Sequence, residues 1–280
     1  MYLLLAGTTS IPAAPSEFYV STKGNDRWAG TLRRPFRTLE HARDAARQAG
    51  SGGVTIFVRG GDYRLAGTFR LSQSDSGTET APAIYRNYGG ETVRLLGGRT
   101  LRNWKPVRDK QVLNRFQASA QKHIVACDLR AAGITDYGEM HSRGFARPTV
   151  ASHVELFFQG RRMTLARWPN GGFTRIVAPG DQAAPRDEHG GILGRKELGL
   201  IYQGDRPRNW KPSPDIWVHG YWAWDWANSY ERVASIDLDK RLVLTAPPYA
   251  NYGFRKNQPF YFLNVLEELD EPGEYYLDRS

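Results

Sequence analysis

The chain has 280 residues, 40% hydrophobic and 24% charged, a balance that supports a large buried core and excludes an intrinsically disordered chain. Its formal charge is +9. The basic residues nevertheless fall in short groups (Arg33-Arg34, Arg161-Arg162, and Arg206 with Arg208 and Lys211). There is no Lys/Arg run, zinc-ligand spacing or aromatic RNA-binding signature, so nucleic acid is not an expected partner.

Residues 1–16, MYLLLAGTTSIPAAPS, carry a short apolar run followed by small residues and prolines. They read as part of a signal peptide, and the expected location is secreted or periplasmic. No stretch approaches the ~20 apolar residues of a membrane span. The single cysteine, Cys127, excludes an intrachain disulfide.

Residues 17–104 form the first structural region. FYVS reads as a short strand and TKGNDRWAGTLRRP as a loop rich in turn residues. Thr38 is placed to cap a helix over 39–49, where Leu39, Ala42, Ala46 and Ala49 share one face and Gly50 follows as a stop. Short strands then follow in quick succession at VTIFVRG, TFRLS, AIYRNY and VRLLGG, with Gly-, Ser- and Asp-bearing corners and no helices between them. This pattern is expected of the first coils of a parallel β-solenoid, with the helix as its cap.

The rhythm breaks near NWKPVRDKQ. Residues 105–260 read as a β-rich insert domain, with strands at HIVACDL, HVELFFQG, IWVHGYWAWDW, RVASIDL and RLVLTA. A hairpin is expected to turn near Asp239-Lys240. PFYFLNVLEEL reads as a return to solenoid-type strand, so 261–280 forms the last region.

Several stretches together resemble the N-terminal half of secreted right-handed parallel β-helix proteins of the glycoside hydrolase family 141 type. They are FYVSTKGNDRWAGTLRRPFRTLEHARDAAR, RGGDYRL, SDSGTETAPAIYRNYGGETVRLLGG, ELFFQGRRMTLARWPN, GYWAWDWANSY and NVLEELDEPGEYYLDRS. The resemblance spans most of 18–280. It implies a mainly β fold: a right-handed parallel β-helix with a capping helix, interrupted by a β-rich insert. It also implies hydrolysis of plant or algal glycans by an α-L-fucosidase or xylanase activity. In that family the acidic ending runs on into further coils, and the catalytic carboxylates are expected there. The chain is therefore expected to be an incomplete solenoid, prone to self-association through its open end when expressed alone.

Glycoside hydrolysis generally needs two carboxyl groups across the scissile bond. On a strand, Glu268 and Asp270 would share a face about 6.5–7 Å apart, as either a catalytic pair or an acidic rim bonded to backbone or arginines. Likewise, on a strand Trp222, Trp224 and Trp226 would share one face and Asp225 the other. The three rings then form either a sugar-stacking platform or a buried face, and Asp225 is a catalytic candidate or an arginine's partner. Arg167 and Trp168 precede a Pro-Asn-Gly-Gly turn and are carbohydrate-binding candidates: Arg167 either binds a sugar hydroxyl or uronate, or pins the turn while stacked on Trp168.

No redox or nucleotide cofactor is expected, and the histidines lack zinc-ligand spacing. A structural calcium ion is the one metal that the solenoid-corner carboxylates Asp62, Asp75 and Glu91 suit. The expected partner is a polysaccharide or oligosaccharide. The alternatives are a β-helix polysaccharide lyase, which the basic charge suits, and a non-catalytic carbohydrate-binding or structural module.

Overall fold

The structure, a computed structural model, describes residues 16–49, 52–181, 183, 186 and 190–279. Residues 1–15 of the signal-like stretch and Gly50 lie outside the described residues. The chain forms two compact units that divide between Thr100 and Leu101. It is mainly β.

The first unit runs through β1 (Ser16–Val20), α1 (Leu39–Gln48), β2 (Val54–Val58), β3 (Gly61–Arg64), β4 (Ala83–Asn87) and β5 (Val93–Leu96). β1, β2 and β4 form one parallel ladder, with Ser16 opposite Val54 and Val54 opposite Ala83. β3 and β5 form a second parallel ladder, with Gly61 opposite Val93. The chain thus visits one ladder, turns a corner, visits the other and returns. The outer edges of β4 and β5 have no strand partner among the described residues.

Alternation in β2 buries Val54, Ile56 and Val58 with Val20, Phe36, Leu39, Ala42 and Tyr63. Helix α1 lays Leu39 and Ala42 into this core, as the sequence pattern predicts. The Thr38 hydroxyl accepts the His41 amide at 3.2 Å and donates to Asp26 Oδ2 at 2.9 Å. Asp26 also accepts the amides of Arg37 and Thr38, so one carboxylate ties the Gly- and Arg-rich loop to the helix start. Thr38→Ala is expected to cost about 1 kcal/mol, the usual value of a cap, and Thr38→Ser much less. Urea denaturation midpoints check this.

The corner carboxylates are all engaged by arginine. Asp62 accepts from Arg94 Nε at 2.7 Å, Asp75 from Arg47 Nε at 2.6 Å, and Glu91 from Arg59 Nε at 3.0 Å. Arg47 holds Asp75 well below the usual carboxylate range. Ion pairs therefore occupy the positions proposed for calcium, and no His, Cys, Asp or Glu grouping able to hold a metal occurs among the described residues.

The second unit centres on a nine-stranded sheet among its described residues. Strand Trp217–Tyr221 lies between Asn228–Asp237 and Pro259–Leu263, antiparallel to both. The expected hairpin is present: Asn228–Asp237 pairs with Leu242–Thr245, and Asp237 Oδ1 accepts the amides of Asp239 and Lys240 in the turn. Residues 228–232 of the strand pair with 217–221 and residues from Val233 on pair with 242–245, with a bulge between Val233 and Ser235. Val218, Phe260 and Phe262 point into the main core with Trp222, Phe254, Tyr202 and Trp210.

Several expected strands differ. HIVACDL keeps only Val125–Ala126, paired with Lys105–Pro106. HVELFFQG keeps Phe157–Phe158, which turns back through Gln159-Gly160 onto Arg161–Arg162. The segment read as a return to solenoid strand, PFYFL, is instead an inner antiparallel strand of the large sheet. Its alternation was legible, but alternation does not encode the direction of a partner. Parallel pairing reappears a little later, where Glu274–Tyr275 runs beside Thr164–Leu165.

Candidate functional site

The most loaded stretch of the sequence, GYWAWDWANSY, leaves its strand at Tyr221 and turns through 222–227 before Asn228. The expectation of one strand with three tryptophans on a shared face is corrected: the turn sends each ring to a different place. Trp222 is buried at 2% exposure, edge-on to Phe254 at 5.5 Å. Its Nε1 donates to Ser229 Oγ at 2.8 Å, which donates to Glu231 Oε1 at 2.6 Å. Arg147 closes the chain on Glu231 at 2.6 Å. Gly220 makes this fold-under fit, because a Cβ there would lie 2.7 Å from the Trp222 ring and 2.6 Å from Phe260.

Trp226 goes the other way and is 60% exposed. It stands edge-on to Phe145 at 4.9 Å and to Tyr252 at 5.8 Å, while Phe145 and Tyr252 stack at an interplanar angle of 15°. Trp224 extends the group, with its ring 6.5 Å from Tyr252 and the Arg255 guanidinium 4.7 Å above it. The result is an exposed aromatic ledge. Asp225 is exposed in the same turn and has no arginine partner among the described residues. Phe145 and Tyr252 were not singled out in the sequence. Their signal was weak: one aromatic after a two-residue strand, and another beyond a Pro-Pro pair.

The sheet face opposite the main core carries a second group. Trp217, His219 and Tyr221 alternate with Val218 and Gly220 along their strand, so they share this face. The His219 ring lies 4.3 Å from Tyr230 and 5.0 Å from Tyr261. Arg143 lies 3.8 Å over the Tyr230 ring and Arg167 lies 3.6 Å over Tyr261. Burial pushes His219 down to about 4, so it is neutral at physiological pH. Burial, and then the neighbouring Tyr230, push Tyr261 up. The HVELFFQG histidine, His153, faces Arg143 at 3.3 Å and is lowered to about 4 by burial and then by that arginine.

Arg167 is half-buried and pins the turn, as one of its two expected roles requires, donating to the carbonyls of Pro169 at 2.8 Å and of Gly172. Its ring partner is Tyr261 rather than Trp168. Trp168 instead packs on the main core, 6.1 Å from Phe262 and 6.4 Å from Trp210.

The expected carboxylate pair is not laid out on a strand. Leu266–Glu268 is a turn of 3-10 helix. Glu268 is 1% exposed and takes both donors of the Arg206 fork at 2.7 Å, together with Trp210 Nε1 at 2.5 Å. Asp270 shares Arg206 at 3.0 Å, accepts from Asn170 at 2.8 Å and also bonds Gln117. Neighbouring Glu267 is held by Arg115 at 2.8 Å and by the Lys211 amide at 3.0 Å. The two carboxylates thus converge on one guanidinium instead of facing each other across a space for a sugar bond. A cavity of about 520 Å³ lies elsewhere, lined by Arg175, Tyr202, Lys240 and Lys256 among others, and contains no carboxylate pair.

No family model matches the chain. Two curated proteins are similar over part of it. "Uncharacterized protein YwoF" of Bacillus subtilis (strain 168) is 39% identical over 79 residues, 28% of this chain and 15% of that protein. "Pectate lyase PEL9" of Emericella nidulans is 37% identical over 82 residues, 29% of this chain and 18% of that protein. A solved structure described as "Glycoside hydrolase" superposes with a TM-score of 0.63 at 22% identity, covering 94% of this chain and 41% of its own. That likeness shows a shared β-rich fold. The chain spans a minor share of all three.

Proposed function

We propose that the chain is the N-terminal portion of a larger polysaccharide-active enzyme of the β-helix glycosidase type, secreted or periplasmic. In this reading the stacked parallel strands are the capped first coils of a solenoid, and the second unit forms a wall of the glycan groove. Two carboxylates on further coils carry out fucosidase- or xylanase-like hydrolysis. The reading is supported by the fold shared with a solved glycoside hydrolase of which the chain covers 41%, and by the family resemblance in the sequence.

The observation that carries it is the exposed ledge of Trp226, Phe145, Tyr252 and Trp224. Large rigid rings presented to water at a turn stack well on the apolar faces of sugars and lose little side-chain freedom in doing so. Trp226→Ala is expected to weaken binding of a neutral glycan such as xylan or a fucosylated oligosaccharide at least tenfold, read by retardation in glycan-loaded gels, with the fold unchanged. Wild-type chain that is retarded by no glycan sinks the proposal.

A second reading, a polysaccharide lyase, is favoured by the partial similarity to a pectate lyase. An unsaturated, ultraviolet-absorbing product from the whole enzyme would select it over hydrolysis.

A further inference from the structure

Four half-buried arginines of the second unit, Arg115, Arg147, Arg206 and Arg279, each hold a carboxylate within 2.8 Å. Arg143 and Arg167 hold none among the described residues. Arg143 contacts the Tyr230 ring and His153, and its Nη1 is buried without a partner. Arg167 contacts the Tyr261 ring and two carbonyls. The Glu274 carboxyl, which acts electrostatically on Arg167, accepts the amides of Asp270 at 3.1 Å and Glu271 at 3.3 Å. Glu155 is paired with Arg162 at 2.5 Å.

His219, whose ring adjoins both of the tyrosines on which these guanidiniums lie, is 9% exposed, with its Nδ1 also buried and unpartnered. Phe173 is 44% exposed and rests 5.6 Å from Tyr261 and 6.2 Å from Tyr221. Uncompensated positive charge in a half-buried aromatic setting is costly unless an anion completes it. The planar guanidinium fork matches carboxylate and sulfate oxygens.

We propose that Arg143 and Arg167 form a recognition site for the acidic group of a glycan, a uronate carboxylate or a sulfate ester, with Phe173 and Tyr221 offering rings to the sugar. This rests on the polysaccharide reading and narrows it to acidic polysaccharides.

The test is binding of the 280-residue chain to polygalacturonate, to its methyl ester, to a sulfated galactan and to neutral xylan. Binding is expected to be at least tenfold tighter to an acidic glycan than to the neutral ones. Preference for polygalacturonate over its methyl ester assigns a carboxylate, and preference for the sulfated galactan assigns a sulfate. Arg143→Lys and Arg167→Lys keep the net charge but lose the fork, and each is expected to abolish the preference. Lys105→Ala, which removes a positive charge elsewhere, is expected to retain it. Equal binding of the free acid, the ester and xylan by wild-type chain overturns the inference and leaves the carbohydrate reading standing. An acidic preference that survives both lysine variants also overturns it. Absence of binding to every glycan overturns both.

Discussion

Replacing Arg206 by alanine is expected to destabilise the second unit by about 3–5 kcal/mol, the usual cost of stripping one partner from a buried ion pair. Glu268 is 1% exposed, and without the guanidinium fork its carboxylate would keep only Trp210 Nε1 among its side-chain donors. Asp270, 10% exposed, would lose the same partner. Arg208→Ala, two positions along, is the internal comparison. Its partner Asp239 is 90% exposed, so its loss is expected to cost no more than about 1 kcal/mol. Urea denaturation of both variants separates the cases. Equal costs would mean that the Glu268 carboxylate is reached by water and free to do other work.

The second large effect concerns the tryptophans. Trp222→Ala is expected to cost about 3–5 kcal/mol, because it opens a cavity beside Phe254 and Phe260 and leaves the Ser229–Glu231–Arg147 chain without its first donor. Trp226→Ala is expected to change stability by less than about 0.5 kcal/mol, as surface substitutions do, while removing glycan retention. A calorimetric melt of each variant beside the gel assay shows whether folding and binding divide between residues four positions apart. Loss of glycan retention by a stably folded Trp222→Ala, with Trp226→Ala unaffected, would move the binding surface off the ledge.

This division was only half legible in the sequence. Alternating tryptophans suggested one face, but alternation organises side chains only while the backbone stays extended. Gly220 and the turn at 222–227 end that condition. The Thr38 cap, the Val54–Val58 alternation and the Asp239-Lys240 hairpin were legible because short-range chemistry decides each of them. The pairings of Arg206 with Glu268 and of Arg147 with Glu231 were not, since each joins residues more than sixty positions apart. The arginine and histidine face was readable in principle from WVHGY, where polar rings alternate with Val218 and Gly220. Nothing local indicated that Arg143, on a two-residue strand, would be brought against Tyr230.

The parallel pairing of Thr164–Leu165 with Glu274–Tyr275 also has a consequence in time. During synthesis the second partner emerges about 110 residues after the first, which at ~5–20 residues per second is a wait of roughly 5–20 s. The last strand of the large sheet, Pro259–Leu263, emerges only about 11 residues ahead of Glu274, and hairpin-type pairing is fast, so the sheet can close just before the pair meets. The sheet then acts as a clasp: its folding gathers the two distant strands and leaves only a short search for their register.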